Sequence, residues 1–131
     1  MGSWNVDTAA RPGVLCMTLA GVFTTAEMEE VRRAHDAAID AFGAEDYRVF
    51  VDIRDLAPFS PECAEIMEAC KLYSSSRPNF QGSAVLAASK IVALQHQRTS
   101  VAGGVMGTEL ISEDLAACEA HLARVRRRPS R

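Results

Sequence analysis

Few side chains in this chain have the spacing that chemistry requires. The four cysteines, Cys16, Cys63, Cys70 and Cys118, include no Cys-x-x-Cys pair of the kind that builds zinc sites. In a helix, Cys63 and Cys70 would stand about two turns apart, roughly 10 Å, too far for a disulfide. All four fall in apolar runs, where a free cysteine acts as a small hydrophobe. His35, His96 and His121 have no Cys, Ser or Asp partner at a spacing that suggests acid–base or nucleophilic work. Asp52 and Asp55 could form a carboxylate pair. The simpler account ends a strand at Asp52 and puts Asp55 in a turn, its carboxylate accepting backbone N–H groups. No catalytic residue, metal ligand or cofactor is assigned, and the chain is expected not to be an enzyme.

The elements around these residues are more legible. Tyr47 to Ile53 is an apolar run rich in β-branched and aromatic residues, the composition of a strand buried on both faces. Ser60-Pro61-Glu62 then opens a helix running to about Tyr73. Ser suits the N-cap, Pro the first helical position, and Glu the positive end of the helix dipole. Val49, Val51, Ile53, Ile66, Met67, Val85 and Leu86 are the expected core.

Upstream, Trp4–Ala9 and Val14–Ala20 read as strands around the turn Arg11-Pro12-Gly13, hence a hairpin. Thr24 and Glu27 have capping-box spacing before a helix ending near Phe42. Met28, Val31, Ala38, Ile39 and Phe42 share one face of it, and Gly43 stops it. Downstream, residues 74–82 read as a loop and Ser83–Ala88 as a buried strand. Ser89 caps a helix from Lys90 to about Ala102. Thr108–Ile111 reads as a short strand, and Ser112 caps a last helix with Leu115, Cys118, Leu122 and Val125 as its apolar stripe. Arg124, Arg126, Arg127 and Arg128 crowd its end, as a solvated helix terminus or a contact for an acidic partner or headgroup. The order β-β-α-β-α-β-α-β-α predicts a single α/β domain over residues 1–131. Its sheet is mixed but mostly parallel, with an N-terminal hairpin, about four helices and a basic tail from residue 125.

The totals narrow the class. A chain of 131 residues with 48% hydrophobic content suits one domain with a real core. A net charge of −3 argues against a nucleic-acid binder. No apolar run has the length of a membrane span, and the N-terminus lacks signal-peptide regions. Reduced cysteines in the cytoplasm are therefore expected.

Four stretches carry a resemblance. They are Leu19-Ala20-Gly21-Val22-Phe23-Thr24, Val51-Asp52-Ile53-Arg54-Asp55-Leu56, the helix opened by Ser60, and Leu110-Ile111-Ser112-Glu113-Asp114-Leu115. In order and spacing they resemble the STAS fold of anti-sigma-factor antagonists, and more closely its STAS-like branch related to lipid-binding SEC14-type domains. The resemblance covers about Val14 to Val125. It implies a regulatory module that binds a protein partner, a second copy included. It also leaves open a carrier or sensor of a small apolar ligand, in a cavity that Ala34, Ala38, Ala64, Ala69, Ala87 and Ala88 could leave. Anti-sigma-factor antagonists usually carry a phosphorylated Ser or Thr at the start of the central helix. Here Pro61 and Glu62 stand in that place.

In open α/β sheets, ligands sit beyond the carboxyl ends of the strands. That edge here comprises Thr24, Thr25, Asp55, Phe59, Ser60, Glu62, Ser89 and Lys90. Phe59, between Pro58 and Ser60, is the natural contact residue if exposed. If buried, it is a hydrophobic staple onto the helix near Cys63 or Ala64.

Overall fold

Arg11-Pro12-Gly13 reverses the chain as expected, and β1 (Ser3–Asp7) pairs antiparallel with β2 (Val14–Ala20). The structure, a computed structural model, describes residues 1–127. The outer part of the expected basic tail, Arg128 included, lies outside them. Helix α1 (Thr25–Ala41) follows, then β3 (Tyr47–Asp52), α2 (Pro61–Ser75), β4 (Phe80–Leu86), α3 (Lys90–Ala102), β5 (Glu109–Ser112) and α4 (Leu115–Arg124). The strands form one sheet in the order β1-β2-β3-β4-β5, and every pairing after the hairpin is parallel.

The side chains sort by strand alternation. Leu15, Met17 and Leu19 of β2 and Tyr47, Val49 and Val51 of β3 join the main core with Met28, Val31, Ile39, Ile66 and Met67 of α1 and α2. Ala84, Leu86, Cys118 and Leu122 form a smaller core on the opposite face, with Phe50 packed against it. So α1, α2 and α3 cover one face and α4 the other. All seven residues expected in the core are buried.

Four local expectations are corrected. β3 is fully buried on one face only: Arg48, Phe50 and Asp52 are half-buried, because the short α4 packs on β4 and β5. The strand expected from Ser83 starts at Phe80, inside the stretch expected to be loop, and α2 runs on to Ser75. A bulge explains why: Tyr47 faces Phe80 but Arg48 faces Gly82, so Gln81 is the extra residue. Gly82 has φ +152°, and a Cβ there would meet Val125 at 2.5 Å and the Thr108 carbonyl at 2.9 Å. The last helix is capped by Asp114, whose carboxylate accepts from the Ala116 N–H, while Ser112 Oγ accepts from Asp114 N–H. That start leaves Leu115 exposed and places Val125 at the C-cap, so only Cys118 and Leu122 of the expected stripe are buried in α4.

Candidate functional site

Three loops leave the carboxyl ends of β2, β3 and β4, and hydrogen bonds tie them to each other and to the helices. Gly21, with φ +84°, donates its N–H to the Asp55 carbonyl at 2.9 Å, and Ala57 donates to the Gly21 carbonyl at 3.0 Å. A Cβ on Gly21 would meet the Met1 carbonyl at 2.9 Å. The loop after β3 is held to α3 by a two-bond amide clasp: Phe59 N–H donates to Gln95 Oε1 at 2.7 Å, and Gln95 Nε2 donates to the Phe59 carbonyl at 2.8 Å.

On this frame the expected residues fall as follows. Thr24 is exposed and closes a complete capping box: Thr24 Oγ1 accepts from Glu27 N–H, and Glu27 accepts from Thr24 N–H. Those bonds hold the Glu27 carboxyl below its ordinary pKa, the Thr24 backbone N–H contributing most. Ser60 caps α2, its Oγ accepting from Cys63 N–H at 3.2 Å. Ser89 caps α3, accepting from Val92 N–H at 3.4 Å. Thr25, Asp55, Glu62 and Lys90 are exposed, and none of these makes an ion pair among the described residues. Val22, exposed between Gly21 and Phe23, joins this edge without having been singled out by its sequence.

Phe59 is buried, the second of its two expected places. It is 7% exposed, edge-to-face with Phe23 at 6.3 Å and beside His96 at 5.4 Å. The Gln95 clasp holds its backbone while its ring lies in the main core. The turn role expected of Asp55 belongs to Asp52, whose Oδ1 accepts from Arg54 N–H and whose carboxylate pairs with the Arg54 guanidinium at 2.7 Å. Those Arg54 bonds hold Asp52 below its ordinary pKa, so it is unsuited to serve as a general acid at neutral pH. The Arg cluster divides too. Arg124 and Arg126 are exposed, while Arg127 folds back and donates to the Ser75 and Arg77 carbonyls at the C-terminal end of α2.

Two buried polar groupings escaped the sequence. His35, expected to lack partners, bonds Asp36 Oδ1 through Nδ1 at 2.8 Å and Ser74 Oγ through Nε2 at 3.0 Å. The order Asp36–His35–Ser74 matches a hydrolase triad. However, His35 and Ser74 are buried between α1 and α2, and the cavity they help line measures about 20 Å³. That space admits about one water and no ester or amide substrate. The second grouping centres on Lys71. Its Nζ donates to Ser100 Oγ at 2.8 Å, the His96 carbonyl at 3.1 Å and Glu109 Oε1 at 3.1 Å. Ser83 and Ser100 also donate to the Glu109 carboxylate. Burial lowers the Lys71 pKa, and Glu109 partly opposes that shift. Burial, reinforced by Lys71, pushes His96 down to about 3, so its ring is neutral at neutral pH. None of the alanines expected to leave a ligand cavity lines this one. Among the described residues no cluster of His, Cys, Asp and Glu could hold a metal ion, and no helix is long and apolar enough to cross a membrane.

No family model and no curated protein matches this chain. Solved structures do. An anti-sigma factor antagonist from Mycobacterium paratuberculosis is similar over 95% of this chain and 96% of its own, with a TM-score of 0.66 at 14% identity. An uncharacterised protein from Shewanella loihica with a SpoIIAA-like fold is similar over 92% of this chain and 93% of its own, with a TM-score of 0.61 at 19% identity. At such identities the likeness establishes architecture. The chain has the SpoIIAA-like fold, seen also in an anti-sigma factor antagonist, as a divergent example of it.

Proposed function

We propose that this protein is a non-enzymatic regulatory module whose protein partner docks on the carboxyl edge formed by Thr24, Asp55, Ser60, Glu62, Ser89 and Lys90, without a phosphorylation switch. One observation carries this reading. Where anti-sigma-factor antagonists usually present a phosphorylatable hydroxyl, this chain has Pro61 and exposed Glu62, and the adjacent Ser60 hydroxyl is engaged as the α2 cap. Glu62 supplies a permanent negative charge where phosphate would supply a conditional one. All four cysteines are free, in keeping with work in a reducing cytoplasm. A carrier of the SEC14-like type would need hundreds of Å³ of apolar space. The cavity under α1 and α2 that His35 and Ser74 line measures about 20 Å³, and the larger space beside α3 is an open groove at the sheet edge.

A photo-crosslinking amino acid at position 62, expressed in the source cell, tests the assignment. A discrete protein adduct is expected from position 62 and not from position 46, where exposed Asp46 lies at the opposite edge. An adduct of twice the monomer mass would identify the partner as a second copy. Equal adducts from both positions, or none from position 62, would remove the edge as the docking surface.

A further inference from the structure

Helix α3 is built inside out. Its buried positions are Val92, His96, Thr99 and Ser100, three of them polar. Its solvent side carries Ile91, 70% exposed, with Leu94 and Val101 also exposed. Ile91, Leu94, Arg98 and Val101 follow the spacing of one helical face. Met106, in the turn after the helix, is 62% exposed. It lines a groove with Leu94 and Ala93 of α3 and Ile111 of the edge strand β5, with a volume of about 510 Å³. Four of the eight large hydrophobic residues exposed among the described residues thus belong to α3 and its following turn. Clustered apolar exposure of this kind marks an interaction surface, unlike scattered single residues.

Charge selects the occupant. The α3 sequence holds Lys90 and Arg98 and no acidic residue, in a chain of net charge −3. The carboxylate that lines the groove, Glu109, has its side chain buried and paired with Lys71. Lys90 and Arg98 are exposed and make no ion pair among the described residues. Pairing α3 with α3 of a second copy would bring like charges together. A segment with apolar anchors flanked by carboxylates meets both features at once. We propose that the outer face of α3 and its groove with β5 dock an acidic amphipathic helix of a partner protein, on a surface that meets the carboxyl edge only at Lys90.

Selection of random peptides of about 16 residues, about four helical turns, against the whole protein tests this. Expected winners carry apolar residues three and four apart with Asp or Glu beside them. They should bind Leu94→Ser at least about tenfold more weakly and bind Glu62→Lys unchanged. The variant Arg98→Glu, which lies off the carboxyl edge, should select Lys- or Arg-flanked peptides instead. These substitutions lie on exposed positions, and a circular dichroism melt of each variant confirms folding before selection. No enrichment over Leu94→Ser, or enrichment indifferent to the charge reversal, overturns the proposal. So does sedimentation with phosphatidylserine vesicles that Leu94→Ser abolishes, which would give the face to a lipid surface. A concentration-dependent dimer abolished by Leu94→Ser would give it to a second copy and overturn the proposal equally.

Discussion

Lys71→Met is expected to destabilise the protein by about 3–5 kcal/mol, because it leaves a buried carboxylate without its cation. The Lys71 and Glu109 side chains are 8% and 3% exposed, and the pair joins α2 to β5 with Ser100 of α3 bonded to both. Methionine fits the volume of the lysine stem, so the loss is electrostatic and not steric. Adding Glu109→Gln should restore most of the stability, since it removes the unpaired charge while the amide oxygen still accepts from one serine and its NH2 donates to the hydroxyl oxygen of the other. The two substitutions should therefore be far from additive, as groups in one network are. Urea denaturation of wild type, both single variants and the double variant measures the coupling. A loss below about 1 kcal/mol for Lys71→Met, the level of an exposed pair, would contradict the buried pair.

Phe59→Ala is expected to cost about 3–5 kcal/mol, the range for emptying a buried phenylalanine site. Its ring fills the space between Phe23 and His96. Phe59→Leu keeps most of that volume and should lose less than about 1.5 kcal/mol. The contrast separates a core residue from a binding contact. If Phe59→Ala left the denaturation midpoint unchanged while weakening partner binding, the ring would be a surface contact and its burial here would be wrong.

What was legible in the sequence was local. The Thr24–Glu27 box, the Ser60-Pro61 start and the Ser89 cap each depend on residues within one helical turn, and all three form as expected. The alternation of apolar runs with capped helices similarly delivers the element order. What escaped depends on distance. Lys71 meets Glu109 across 38 positions and His35 meets Ser74 across 39, so no spacing rule reaches either. Polar composition concealed only the start of β4, because Asn79 and Gln81 are buried with their amides bonded to backbone carbonyls. For α3, a helix with polar residues inward and apolar residues outward defeats any expectation that periodicity names the buried side. Of the candidate site, the caps and exposed charges fell where expected. Phe59 took the buried one of its two expected places, and the choice was not legible because the Gln95 side chain that holds its backbone comes from a helix 36 positions away.

The most direct test of a constitutive, unswitched edge is Ser60. Thermal melts should place Ser60→Asp close to wild type, because Asp also caps well, with Ser60→Ala lower by about 1 kcal/mol. The partner captured from position 62 should then bind wild type and Ser60→Asp with the same affinity in a calorimetric titration. Mass spectrometry of protein from its native cell should show Ser60 unmodified. A substantial phosphorylated fraction at Ser60, or partner binding that Ser60→Asp abolishes at unchanged stability, would contradict the account and make this residue a switch.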